Sequence, residues 1–409
     1  MHEGKIIKYY REKAGLTQSQ LGEGICSDTH ISKIERGLTD YSPEITRLLS
    51  QRLGIDIPQE LCRAIQIKQR LLRWQETIVM HQMNEMDEIH HELKHMTLLR
   101  ISDYKMMYQL LLARYELMRN NPDSAYRIMK ELQKLQSTLP PYENNLLKHV
   151  WGLYYLSKQD YVQAISTLNQ ITELDYPNPE YFYHLAVAYH MVQSQIMCYY
   201  YAEKSLKYFK EMNYFLRGID AEMLMLIQLK DEENLEFRDS IERFHNLLQS
   251  CDMCHAPDRK AKVLHNLAYE YYRRKEYESA SRYYQQSMEL KNKLTGPYLL
   301  SLEGYIRSSL EGNLIPREDL SPLISDGLSI ATKLKESLYI VLFNLLKHFI
   351  QDEEEAYHEY LQHKALPMYR QQGYTYLVIR SEKELFSYYV NRNQLAQALE
   401  IAACLITPK

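Results

Sequence analysis

Two short stretches hold residues whose types and spacing belong to metal or haem chemistry. His91-Glu92-Leu93-Lys94-His95 matches H-E-x-x-H, in which two histidines one helical turn apart ligate zinc and the glutamate works on the metal-bound water. A zinc peptidase needs a third ligand downstream. No G-x-x-H follows His95, and Asp103 and Glu116, the next carboxylates, lack supporting context. Cys251-Asp252-Met253-Cys254-His255 spells C-x-x-C-H, the attachment pattern of c-type haem, which requires export. The opening residues MHEGKIIKYYREK are charged rather than apolar, so haem is set aside, and no second ligand pair follows for zinc. Without a phosphate-binding glycine loop or nucleophile elbow, the expectation is a protein that is not an enzyme and holds no cofactor or metal.

The elements around these residues explain the matches. Apolar residues recur at spacings of three and four almost throughout, and no segment alternates strictly with β-branched enrichment, which predicts an all-α protein. A chain of 409 residues suits a small domain joined to an extended repeat array. Its formal charge of -4 carries no global basic signature, so any nucleic-acid contact must come from a local site. No apolar run approaches the roughly 18 residues of a membrane span, and six cysteines are too sparse for a disulfide scaffold, so a cytoplasmic protein with reduced thiols and no membrane partner is expected. The 36 tyrosines against 8 phenylalanines suit helices that bury one face thinly and keep the other wet.

A period of about 34 residues runs through the C-terminal three quarters. Gly152 and Ala186 each follow a large apolar residue and precede a tyrosine by three, and WGLYYLSKQDYVQAISTL places Ala164 and Leu168 further on. The same order recurs with Ala268, Tyr271, Ala280 and Tyr284, and again with Phe386, Tyr389, Ala398 and Ala402. Weaker copies surround Ala125, Ala202 and Ala356, while 214–250 and 298–335 read as looser hairpins. This pattern resembles the tetratricopeptide repeat, in which small residues at two positions let paired helices touch. It implies about seven or eight hairpins in a right-handed superhelix.

Between Gly54-Pro58 and this array, residues 58–100 contain no glycine and no further proline. Ile65, Leu72, Val79, Met86 and Leu93 lie seven apart and predict one or two long connecting helices with an apolar stripe. With Val79, Met86, Ile89 and Leu93 inside, His91 and His95 project to the solvated face, and the H-E-x-x-H match reads as the outer surface of this connector.

Residues 16–37, LTQSQLGEGICSDTHISKIERG, have helix-turn-helix grammar. A short helix carries Leu21, Gly24 permits the turn, Ser27 or Asp28 caps a second helix holding Ile31 and Ile34 inside, and Gly37 stops it. L-T-Q-x-x-L followed by I-S-K-I-E-R-G resembles the Xre/Cro-type DNA-binding domain, and the GICS variant is similar to the RRNPP peptide-pheromone receptors of the PlcR and NprR types. That resemblance divides the chain into a helix-turn-helix domain (1–57), connecting helices (58–100) and a tetratricopeptide-like domain (101–409) for peptide binding and dimerisation. It also implies a quorum-sensing transcriptional regulator.

The second helix would enter the major groove with Asp28, Thr29, His30, Ser32 and Lys33 facing base edges and backbone. Gln18 matches the phosphate-clamping glutamine of the domain class, Lys33 and Arg36 add backbone contacts, and Arg11 and Glu35 match a structural ion pair. Residues 1–57 hold eight Lys/Arg and eight Asp/Glu, so non-specific binding is expected to be weak, and a degenerate domain used for protein contact is the competing reading.

In the repeats, Asn266 precedes a Leu-Ala pair, where its amide donor and acceptor can hold a peptide backbone; Asn344 and His184 take comparable places. Lys262, Tyr269 and Arg273 share the Asn266 face. The bland alternative is that each is a solvated or inter-repeat residue. Expected partners are a palindromic DNA operator, a short signalling peptide and a second copy of the chain, with a phosphorelay response regulator as the alternative partner if the repeats act through protein contact.

Overall fold

The computed structural model describes residues 3–96, 99, 104–228 and 234–406, and every regular element among them is helical. They fall into two compact units, Met1–Leu185 and Ala186–Lys409.

The first four helices are α1 (Glu3–Lys13), α2 (Gln18–Gly22), α3 (Asp28–Glu35) and α4 (Pro43–Leu53). Each start after the first is encoded locally. Thr17 and Gln20 form a reciprocal capping box at α2, Ser27 accepts the His30 amide at α3, and Ser42 accepts the Ile45 amide at α4, which begins with proline. Gly24 and Gly54 turn the chain at φ +69° and +65°, where a Cβ is disfavoured. Ile7, Leu21, Ile31, Ile34, Leu49 and Ile57 make one buried core among these helices.

Two helices, not one, connect this domain to the repeats: α5 (Ile57–Met80) and α6 (Met83–Lys94), broken at His81, whose φ is +58°. The seven-residue stripe fails in α5. Ile65 and Leu72 are 52% and 54% exposed, and Ala64, Ile67, Leu71, Trp74 and Ile78 are buried instead. The cause is phase rather than spacing: Ala64, Leu71 and Ile78 also lie seven apart and, with Ile67 and Trp74, form an apolar face one residue out of step with the stripe that takes the buried side. Val79, Met86 and Leu93 do lie inside. Trp74 anchors the pair, its indole N–H donating to the Met86 carbonyl (3.0 Å) and its ring stacking on His90 and Tyr108.

The remaining helices pair as hairpins: α7 (Lys105–Met118) with α8 (Pro122–Gln133), α9 (Pro141–Ser157) with α10 (Tyr161–Leu168), α11 (Glu180–Met191) with α12 (Gln195–Glu211), and α13 (Phe215–Leu226) with α14 (Asn234–Met253). They continue with α15 (Pro257–Arg273) and α16 (Tyr277–Glu289), then α17 (Gly296–Glu311) and α18 (Arg317–Leu334). In the seventh, α19 (Ser337–Ile350) meets α20 (Glu354–Tyr360), which passes through a π-helical turn, Leu361–Ala365, into α21 (Leu366–Gln371); α22 (Thr375–Asn391) and α23 (Leu395–Ile406) complete the set.

Small residues sit where the repeat pattern needs close approach. A Cβ on Gly152 would lie 2.4 Å from the Leu168 side chain, and Ala164, Ala186, Ala268 and Ala280 are fully buried. Gly304 takes the Tyr284 ring and Gly327 the Phe343 ring in the same way. The last copy is looser: Phe386 is 37% exposed, although Tyr389 and Ala398 are buried. Cys251 lies in the last turn of α14 with its side chain buried, and burial pushes its thiol pKa up to about 11, as expected of an inert core cysteine.

Candidate functional site

Helix α3 is held by its buried side and presents its opposite face. Ile31 and Ile34 enter the core while Asp28, Thr29, Lys33 and Arg36 are exposed and His30 and Ser32 half-buried. Beneath it the buried Arg11 guanidinium grips Glu35 through two nitrogens, Nε to Oε1 at 2.5 Å and Nη2 to Oε2 at 3.1 Å, and its third nitrogen caps the Leu16 carbonyl. This ties α1 to both ends of the motif. Gln18 lies in the same network, its Nε2 donating to Glu35 Oε2 at 2.9 Å, so the amide assigned to a phosphate is committed to the scaffold in the free protein. At the exposed end, Asp28 Oδ1 accepts from the Thr29 amide (2.6 Å) and hydroxyl (3.3 Å), and Arg36 donates to the Ser32 carbonyl (3.2 Å). The intrahelical bond to Thr29 occupies part of the Asp28 carboxylate at the helix N-terminus, where the backbone dipole also favours a negative charge.

The connector's histidines do not assemble a catalytic centre. His91 and His95 are exposed with rings 4.8 Å apart, and the Glu92 carboxylate is held by Arg70 Nε at 3.0 Å.

The six residues proposed for the repeats separate into distinct environments. Lys262, Asn266, Tyr269 and Arg273 follow one another along α15. Asn266 is half-buried and its side chain makes no hydrogen bond among the described residues, which leaves its amide able to pair with a peptide group. Arg273 is held by both oxygens of Glu270, and Tyr269 shares a hydroxyl–hydroxyl bond with Tyr376. Asn344, by contrast, donates to the Ile340 carbonyl one turn back at 2.8 Å and also hydrogen-bonds to Tyr360 on α20.

His184 belongs to the N-terminal unit and to a buried polar chain. Asn178 donates to the Tyr176 hydroxyl (3.3 Å), Tyr176 meets His149 Nδ1 (2.9 Å), and His149 Nε2 meets His184 Nδ1 (2.8 Å). The distances are satisfied throughout if each group donates to the next and both imidazoles are neutral. His149, Glu180 and His184 bring ligand atoms within 4.8 Å of one another. Arg114 already neutralises Glu180, so a divalent cation there would add two uncompensated charges to a buried site.

Under the Asn266 face, His265 Nδ1 lies 3.0 Å from Ser301 Oγ, which also accepts from Lys291 Nζ at 2.7 Å. Burial, reinforced by Lys291, pushes the His265 pKa down to about 3. The unfolded chain, with its ordinary value of 6.5, therefore binds a proton that the folded chain refuses between these limits. This contribution to stability is complete above the upper limit and is lost as pH falls towards the lower one. We expect His265→Gln to flatten the acid side of the stability profile, as read by urea melts between about pH 7 and pH 4; a slope unchanged from wild type in that window would remove His265 as its source.

Arg307 and Arg380 complete the surroundings of Tyr269 and Tyr272, and no linear signal pointed to them, because α17 and α22 bring them in from distant sequence.

Comparison with known proteins supports this arrangement. Residues 7–59 match the helix-turn-helix family HTH_3. The chain is 20% identical over 365 residues to the transcriptional activator NprA of Geobacillus stearothermophilus, covering 86% of this chain and 89% of that protein. The apo quorum sensor NprR of B. thuringiensis superposes with a TM-score of 0.68 at 18% identity, over 83% of this chain and 98% of NprR. NprR in complex with its cognate peptide NprX gives 0.61 at 18% identity, over 81% and 98%. No helix among the described residues is long and apolar enough to cross a membrane. The chain is an all-α protein in which a helix-turn-helix domain of the HTH_3 family is followed by tetratricopeptide-like hairpins, similar in fold to NprR.

Proposed function

We propose that this protein is a cytoplasmic quorum-sensing transcriptional regulator that binds a palindromic operator as a homodimer and is switched by a short signalling peptide in its repeat domain. The observation that carries this reading is α3: a polar N-terminal face turned outward from an ion-paired, buried scaffold. Relatives of like architecture supply the context, since NprA is a transcriptional activator and NprR a quorum sensor solved with a peptide. In this reading residues 1–57 contact DNA, 58–100 transmit, and 101–409 bind peptide and dimerise. Asp28, Thr29, His30 and Ser32 face bases, while Lys33, Arg36 and Gln18 face phosphates; Gln18 must first exchange its bond to Glu35. Asn266 holds the peptide backbone, flanked by Lys262, Tyr269 and Arg273, while His184 and Asn344, already bonded to His149 and to the Ile340 carbonyl, are left out of that group. Helix α5 is a suitable transmitter because it packs on α1, where the Tyr10 hydroxyl donates to Glu60 at 2.9 Å. Peptide shifts the equilibrium only as far as its affinities for the DNA-competent and incompetent states differ.

Selection from random duplexes, with and without a peptide library, tests the DNA half of this reading. The expected result is a two-fold symmetric motif that changes with His30→Ala. Lys33→Ala should weaken binding to all sequences and reduce the salt slope by about one. Failure to enrich any sequence in either condition would assign the domain to protein contact, with a response regulator as the partner to pull down. For the peptide half, Asn266→Ala is expected to lose roughly tenfold or more in peptide affinity while melting as the wild type does; undiminished affinity by calorimetry removes Asn266 from the site.

A further inference from the structure

The hydroxyls of Tyr269 on α15 and Tyr376 on α22 share a hydrogen bond, which joins two helices 107 residues apart in sequence. One helical turn beyond Tyr376 on the same face stands Arg380, and one turn beyond Tyr269 stands Arg273. Both guanidiniums act electrostatically on Tyr269, and Arg380 also acts on Tyr272, Tyr357 and Tyr369. It therefore lies among tyrosines from several repeats.

The carboxylates nearby are already engaged. Glu270 chelates Arg273, Glu303 accepts from the buried Arg307 Nε at 2.7 Å, Glu311 accepts from the Tyr272 hydroxyl at 2.7 Å, and Glu384 accepts from Tyr357 at 2.8 Å. Arg380 makes no hydrogen bond and no ion pair among the described residues, and its strongest electrostatic neighbour is another cation, Arg307. A guanidinium withdrawn from bulk water beside a like charge is costly unless an anion joins it. Its planar fork matches a carboxylate through two parallel hydrogen bonds.

We propose that Arg380 is the anion anchor of the repeat array and takes a carboxylate of the bound peptide. This rests on the peptide-receptor reading above, with Asn266, one turn before Tyr269, holding the peptide backbone. The ligand class is a short peptide with an acidic side chain or a free C-terminus placed to reach α22.

The test uses the full-length protein and its Arg380→Gln and Arg380→Lys variants. Without ligand, Arg380→Gln should melt close to the wild-type temperature, because Arg380 has no hydrogen bond or ion pair to lose and the attraction of Glu303 is set against the repulsion of Arg307. A clearly lower melting temperature would make Arg380 structural and overturn the proposal. Two random heptapeptide libraries, one with free and one with amidated C-termini, are then retained on each protein and read by mass spectrometry. The wild type should retain carboxylate-bearing peptides, and Arg380→Gln should retain them roughly tenfold less or worse, with partial recovery in Arg380→Lys. Loss of retention on amidation assigns the C-terminus, and persistent enrichment of Asp or Glu assigns a side chain. If the wild type retains peptides without preference for a carboxylate, or Arg380→Gln retains the same set, the anchor is wrong while the receptor reading stands. If the wild type retains none, both fall.

Discussion

Glu180→Ala should destabilise the N-terminal unit by about 3–5 kcal/mol, a large share of the roughly 5–15 kcal/mol that holds a domain folded. Glu180 is fully buried and bonds to Arg114, which is itself 2% exposed. The carboxylate holds the guanidinium pKa above its ordinary value against the opposing effect of burial. Arg114 Nη1 already lacks a hydrogen-bond partner, so removing Glu180 strands a cation with no alternative acceptor on that side. The same residue lies beside the Tyr176–His149–His184 chain, so its loss should also disorder the hydrogen bonds that orient His184. Chemical denaturation followed by circular dichroism reads the effect. The double variant Arg114→Met with Glu180→Leu should recover most of the loss, because apolar side chains of similar volume replace a buried pair at little cost. A Glu180→Ala protein that melts within about 1 kcal/mol of wild type would show that water reaches Arg114.

Glu35→Ala should be of comparable size, about 3–5 kcal/mol, but confined to the helix-turn-helix domain. Glu35 is 5% exposed and receives three donors: Arg11 Nε, Arg11 Nη2 and Gln18 Nε2. These bonds tie α1, α2 and α3 together beneath the reading face. DNA affinity should therefore fall steeply although Glu35 faces away from the exposed side of α3. Glu35→Gln retains an acceptor and should lose less. Differential protection of residues 3–53 in hydrogen exchange, with the repeats unchanged, is the expected signature. Loss of protection spread evenly through the repeats would instead mean that the domain and its connector unfold as one body.

Local chemistry made much of this molecule legible. Ser27 announces a helix start because its side-chain oxygen satisfies an amide three residues on, and Gly152, Ala164, Ala268 and Ala280 announce the repeats because each helix pair repeats one short-range packing rule. The Arg11–Glu35 pair was readable for a different reason, since a specific motif carries its long-range partner with it. The connector stripe misled at Ile65 and Leu72, because a second seven-residue set one position earlier, Ala64, Leu71 and Ile78, takes the buried face.

The sequence by itself determined the helical class, the helix-turn-helix motif, the hairpin period and the solvated place of His91 and His95. All of these depend on residues within one or two helical turns, or on a repeat of such units. Only the tertiary structure decided which polar side chains are spoken for. It gave Asn344 to Ile340 and Tyr360, Gln18 to Glu35 and His184 to His149, left the Asn266 side chain unengaged, and brought Arg380 to Tyr269 and Arg307 without an ion pair of its own. Hydrogen-bond and charge satisfaction is a property of whatever meets in space, and across stacked helices those partners lie tens to more than a hundred residues apart.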